Sequence, residues 1–236
     1  MNRRHFLLQL FLGTVSTAHA LDLKEDFVEI IPDLFQATTL VNMSVATLMA
    51  KNIPLEILRL AKGCLIIPKM VTGNLLLTAS KGLGIIIIRE NKAWYPPLIV
   101  TLVSVGAGIT AGFKTGNKVL IFMNSTKLFH FLRGTPKIKL NWEIAVGPTQ
   151  FKDYSHTVQK VDVYDYSQEI GLLLGIGLES MILQTASVYN EPFYGQPMEL
   201  NKLLSDTVQP APGIAQDAWA HLQRWLERNT LNEARS

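Results

Sequence analysis

From Val103 to Lys114 the chain alternates without a break. Val103, Val105, Ala107, Ile109, Ala111 and Phe113 take turns with Ser104, Gly106, Gly108, Thr110, Gly112 and Lys114. Successive side chains of a strand point to opposite faces, so this period of two predicts strands with one apolar face and one small, polar face. The same stretch places Gly108, Gly112 and Gly116 at the four-residue spacing of a glycine zipper between membrane helices. Strict alternation favours strands over the zipper, and the glycines then permit bends, bulges or the close approach of another backbone.

Other segments fit around this one. Residues 22–62 read as helical, with Phe27, Ile30, Ile31 and Leu34 at helix spacing and Pro32 as a kink or a new start. Asn52-Ile53-Pro54 breaks the pattern, and a short helix from Pro54 to Ala61 stops at Gly63. From Cys64 the signal turns to strands: Leu75 to Thr78 and Leu83 to Arg89 read as a hairpin about Ser80-Lys81-Gly82, with Glu90-Asn91-Lys92 as the next turn. Val119 to Met123 follows as a buried strand, and Asn124 or Ser125 caps a short helix ending at Gly134. Further strands are expected at 138–140, 144–146, 161–166 and 172–182. Pro210-Ala211-Pro212-Gly213 is a stiff connector to a final helix whose stripe of Ile214, Ala218, Leu222, Trp225 and Leu226 reads as a core-docking face.

The first residues read as an address rather than as structure. Arg3 and Arg4 precede an apolar stretch from Phe6 to Val15, which reaches the small-x-small pattern Ala18-His19-Ala20. We expect a signal peptide over 1–20, of the general secretory or the twin-arginine type, with cleavage near Ala20. The apolar stretch is shorter than the roughly 20 residues that span a bilayer, which argues against a retained anchor. The expected organisation is one domain: a helical segment at 21–62, a β-rich core at 63–200, and a connector with a C-terminal amphipathic helix at 201–236. Cys64 is the only cysteine, which excludes an internal disulfide, and it lies too far from the cleavage region to carry a lipid anchor.

The net charge of +3 conceals an asymmetry. Between Arg59 and Trp142 stand twelve basic residues and a single acid, Glu90, a net of +11. The remainder, after residue 20, holds eight basic and eighteen acidic residues, a net of −10. Such a block points to nucleic acid or a membrane, unless acidic flanks fold back and cancel it. For an exported chain the anionic partner is lipid, and no nucleic acid is expected.

Catalytic chemistry is not visible. His130, His156 and His221 are widely spaced, with no nucleophile, base and orienting group near one another in sequence. Phosphate-loop, Gly-x-Ser-x-Gly, His-Glu-x-x-His and calcium-loop patterns are missing, so we expect no enzyme, no metal site and no cofactor. Cys64 reads as an inert buried thiol, and Asp162, Asp165 and Glu169 as a solvated edge.

One family does match. Ala61-Lys62-Gly63-Cys64-Leu65-Ile66-Ile67-Pro68 resembles the opening signature of SYLF domains, and Trp94 with Pro96 or Pro97 resembles their Trp-x-x-Pro element. Gly108, Gly112 and the run ending Met123-Asn124 are similar to a glycine-rich strand pair, and Gly147-Pro148 to a Gly-Pro turn. Tyr166-Ser167, Gly171, Gly175, Asn190 and Tyr194-Gly195 are similar to the closing part, so the resemblance covers roughly residues 30–196. Thr110, Lys114, Asn117, Gln168 and Ser180 depart from the family at polar positions, which leaves the apolar pattern intact but weakens any transfer of ligand details.

The resemblance implies lipid binding, and the leader adds the expectation of an exported bacterial member, periplasmic or peripherally attached to a membrane. Basic Lys62, Lys69, Lys114, Lys137 and Lys139 would attract a phospholipid or other anionic membrane surface, while Trp94 and Tyr95 would sit at its interface. The alternative is an envelope protein-interaction or scaffolding module that uses the glycine-rich strands or the C-terminal helix. The fold class expected is α+β: a bent antiparallel β-sheet or partly closed β-barrel, packed by N-terminal helices and a C-terminal helix.

Overall fold

A computed structural model describes residues 33–75, 77–107, 112–133, 143–148, 161–168, 181–205 and 208–230, all within one compact unit that begins at Pro32. Expectations for the leader and for 22–32, 138–140, Lys137, Lys139, His156, Glu169 and 172–180 fall outside the described residues.

Helix α1 (Leu34–Met49) starts where the Asp33 side chain accepts a hydrogen bond from the Gln36 N–H at 2.7 Å. Ala37, Val41, Val45 and Leu48 recur at helix spacing and are buried. Pro54 opens the short α2 (Leu55–Leu60). Then come β1 (Gly63–Leu75), β2 (Leu77–Glu90), β3 (Ala93–Trp94), β4 (Leu98–Ala107) and β5 (Gly112–Phe122). Strand on both sides of 108–111 decides against the glycine zipper. Helix α3 (Ser125–Leu132) is capped as expected, Asn124 accepting from the Lys127 N–H at 3.2 Å. It is followed by β6 (Ile144–Val146), β7 (Val163–Asp165), β8 (Met181–Thr185), α4 (Ser187–Tyr194), α5 (Leu200–Ser205) and α6 (Ile214–Thr230).

The described strands form one open path, β6-β7-β5-β1-β2-β4-β8, with β3 attached to β2. Every pairing is antiparallel except β6 with β7, so the fold is α+β with a mixed, unclosed sheet rather than a barrel. The glycine-rich β4 and β5 are not a pair, because the β1–β2 hairpin lies between them.

That hairpin corrects the expected turn. Ser80-Lys81-Gly82 is not a turn: it lies inside β2, paired on both sides, and the chain reverses between Leu75 and Leu77. The register of β1 slips around Pro68 in both of its pairings. Proline cannot donate to a ladder, so a central strand accommodates it at a bulge. Gly82 and Gly84 face this bulge. A Cβ on Gly84 would lie 2.0 Å from the Ile66 carbonyl oxygen, and one on Gly82 would lie 2.4 Å from Ile67 Cγ2. These glycines serve a close approach across strands, not a reversal of direction.

The Glu90–Lys92 turn is found where expected. Asn91 and Lys92 both have positive φ, 50° and 67°, between the paired Glu90 and Ala93. Helix α6 docks on α1 and α2 and buries Ala215, Ala218, Trp219, Leu222 and Leu226. Its docking face is therefore rotated slightly from the expected stripe, with Trp219 inside and Ile214 exposed.

Candidate binding groove

The hairpin pairing sorts side chains onto two faces. Lys69 pairs with Leu83 and Val71 with Lys81, and alternation puts all four on one face together with Thr101 and Val103 of β4. Near the sheet centre this face is covered by α1, which packs on β1 and β2, and by α4, which packs on β4 and on α1. Toward the hairpin end the two helices no longer cover it. A groove of about 720 Å³ remains, floored by Lys69, Val71, Lys81, Leu83 and Thr101 and flanked by Leu40 and Met43 of α1 and by Ser187, Val188 and Tyr189 of α4.

The lining contains two lysines and no acid. Neither lysine makes an ion pair with a described residue, and they stand diagonally across the hairpin, a placement that puts Cβ atoms about 7 Å apart. Around them Met43 is 49% exposed, Val71 43% and Val188 52%, and Ile182 of β8, opposite Val103, is 53% exposed. Charge and exposed apolar surface thus meet on one side of the molecule.

The α4 wall is held by Asn190, which is fully buried. Its side chain accepts from the Ile99 N–H at 2.9 Å and donates to the Ile99 carbonyl at 2.7 Å and the Ala186 carbonyl at 3.1 Å. Tyr194 adds a bond to the Pro97 carbonyl at 2.8 Å. Ala186, which precedes α4, has no side chain able to cap its first N–H groups.

The residues singled out from sequence do not converge. Lys69 lies in the groove. Lys62 is exposed at the other end of β1, beside Asn124 and Asp162. Trp94 is buried rather than interfacial: its ring stacks with the Arg89 guanidinium at 5.5 Å, and its Nε1 donates to Thr230 Oγ1 at 3.4 Å. Tyr95 is half-buried next to it, and Lys114 pairs with Thr72 on β5. Lys81, Met43 and Val188 were missed. Lys81 carried a signal, since it sits two residues before Leu83 on the same face, but only the correct strand pairing makes that readable.

The basic block is partly consumed by the fold. Lys118 is buried at 2% exposure, and Lys127 forms an ion pair with Asp162, an instance of an acidic flank meeting the block. Asp162 and Asp165 are consequently not a solvated edge; both are buried. Asp162 also accepts from the Glu143 N–H at 2.9 Å, and Asp165 from the Ser167 N–H at 2.8 Å. Lys81, Lys92 and Lys62 remain exposed.

Cys64 is fully buried and desolvation pushes its thiol far up from the ordinary value, which suits an inert thiol. Among the described residues no group of three His, Cys, Asp or Glu side chains could hold a metal, and no helix is long and apolar enough to cross a membrane. The arrangement is that of an α+β domain with a cationic, apolar-rimmed groove.

Comparison with known proteins gives this module its family. The family model Ysc84, described as Las17-binding protein actin regulator, matches residues 103–225, more than half of the chain. The chain belongs to this family, the SYLF family that its motifs resemble. The match runs past residue 196 and takes in most of α6. Among curated relatives, budding yeast "LAS seventeen-binding protein 3" is 26% identical over 168 residues, 69% of this chain and 36% of that protein. Budding yeast "Protein YSC84" is 28% identical over 189 residues, 78% of this chain and 39% of that protein. Fission yeast "SH3 domain-containing protein PJ696.02" is 28% identical over 166 residues, 67% of this chain and 38% of that protein. The matched region thus spans well under half the length of these relatives. No solved structure matches the chain. The family description is that of a binding protein and regulator rather than of an enzyme.

Proposed function

We propose that this chain is a non-enzymatic binding module that attaches to anionic lipid headgroups at a membrane surface through the groove between α1 and α4. One observation carries the reading: Lys69 and Lys81 share a groove without an acid, ringed by exposed Met43, Val71 and Val188. Each basic residue near an anionic surface contributes on the order of 1 kcal/mol, and apolar rim side chains add to this by entering the interface. With the expected leader, the reading is of a domain in the periplasm or peripherally attached to an envelope membrane. Co-sedimentation with vesicles of neutral phosphatidylcholine, with and without anionic phosphatidylglycerol, tests it over a salt series. The reading requires binding that depends on the anionic lipid and falls as salt rises. Equal binding to neutral vesicles would overturn it.

The second reading, a protein-interaction or scaffolding module, is favoured by the family description, which names a protein partner. The apolar stripe of α6 is already buried against α1 and α2, so this reading would use a different surface. Retention of a defined partner by the lipid-free protein, unaffected by Lys69→Ala and Lys81→Ala, would support it over the membrane reading.

A further inference from the structure

The groove has two levels. Its rim, Met43 and Val188, is exposed and available to any flat surface that touches the molecule. Its floor is recessed: Leu83 and Thr101 are half-buried on the sheet between the two helices, with Lys69 and Lys81 exposed beside them. A headgroup layer lying across the rim reaches the two exposed lysines but not Leu83 and Thr101 beneath them, whereas a slender molecule that enters the groove reaches both. We propose that the groove takes up a single-chain anionic amphiphile, a long-chain carboxylate. This deepens the membrane reading and rests on it in one respect, that the groove is the lipid-contacting surface.

The chemistry of the lining fits that class in three ways. Lys69 and Lys81 supply positive charge from two neighbouring strands, and a carboxylate has two oxygens to share between them. At the α4 end, Ser187 and Val188 belong to a first turn that lacks a side-chain cap, and uncapped N–H groups at the positive end of a helix add to the attraction for an anion. Beyond the cations most of the lining is apolar, with Leu40, Met43, Pro68, Val71, Leu83 and Val188, and can take a hydrocarbon chain out of water. A volume of about 720 Å³ lies within the range of small-molecule sites. The absence of acid from the lining selects an anionic head over a cationic one.

The test uses the full chain without vesicles, with the fluorescent fatty acid cis-parinarate as probe, kept below its micelle concentration. Expected are saturable binding with one probe per chain and displacement by dodecanoate but not by dodecanol, which has the same chain without the charge. Lys69→Ala combined with Lys81→Ala should weaken binding at least tenfold. So should Met43→Glu, a rim substitution at an exposed position that does not threaten the fold. Equal displacement by dodecanol, non-saturable binding, or binding unmoved by both variants would overturn the proposal. Binding to anionic vesicles without uptake of free parinarate overturns it while leaving the membrane reading intact. Uptake of parinarate without vesicle binding supports it and removes the membrane reading.

Discussion

Gly84 lies so close to Ile66 that a Cβ would stand 2.0 Å from the Ile66 carbonyl oxygen. The contact is with backbone, at a bulge that Pro68 imposes on a central strand, so neither partner can turn aside as a side chain could. Gly84→Ala should therefore force β1 and β2 apart and destabilise the domain by about 3 kcal/mol, the upper part of the range for overpacking. Urea denaturation would show it, and an unchanged midpoint would mean the bulge is more compliant than its geometry suggests. The groove floor is built on the same two strands, so its integrity depends on this contact.

The paired lysines make an electrostatic prediction. Replacing both Lys69 and Lys81 by alanine should cost about 2 kcal/mol of binding to anionic vesicles, close to a thirtyfold change in partitioning. The control is Lys92, an exposed lysine in the β2–β3 turn and outside the groove lining. Lys92→Ala should have a clearly smaller effect. An equal effect would mean that attraction is spread over the basic block rather than focused in the groove.

Lys92 should show its own effect on stability. Its φ of 67° lies in the left-handed region, where a side chain on an L-residue is strained. Lys92→Gly should stabilise the domain, by about 0.5–1 kcal/mol once glycine's greater unfolded-state entropy is offset against the relieved strain. Thermal melting would register a rise of a few degrees or less, and a fall would show that the lysine is held by contacts of its own.

Asn190 holds the α4 wall to β4 with two buried hydrogen bonds to Ile99 and adds a third, local one to the Ala186 carbonyl. Asn190→Ala would leave the N–H and the carbonyl of Ile99 without these partners, at a cost of about 2–4 kcal/mol. Asn190→Asp should be worse at neutral pH, because a carboxylate cannot donate to the Ile99 and Ala186 carbonyls. Hydrogen exchange at α4 should accelerate in both variants. Unchanged exchange there would show that Tyr194 and the Ala186 N–H, which also bonds the Ile99 carbonyl, suffice to anchor the helix.

Cys64 and Tyr194 predict alkaline sensitivity. Burial raises both groups' pKa values, so the native state keeps protons that the unfolded chain releases. With the unfolded state binding fewer protons, stability falls as pH rises through the ordinary thiol and phenol ranges. Below those ranges both states are protonated and the effect vanishes. Cys64→Ala should remove the thiol part of the slope, and in the native protein a thiol reagent should react only on the timescale of unfolding.

Some of this was readable in the one-dimensional pattern. Unbroken alternation through Val103 and on past Gly112 required strands, Asn124 announced α3, and ordered motifs announced the family, because each depends on residues a few positions apart. The turn was misplaced for the opposite reason. Ser80 and Gly82 have turn chemistry locally, but the glycine is needed for a strand that arrives from Pro68 across the sheet. Helix α4 escaped notice because it is short, contains Pro192, and is anchored by bonds to a residue about ninety positions earlier.

The α+β class, the strand alternation, the family and the existence of a basic block are all legible along the chain, because neighbours carry them. Which lysines of that block meet in a groove was decided only by tertiary structure. The β1–β2 register brings Lys81 beside Lys69, burial removes Lys118, and Asp162 pairs with Lys127. Trp94 turned inward for the same reason, its partner Thr230 being 136 residues away. Pairing and burial depend on contacts between distant parts of the chain, and no local pattern encodes which of them will form.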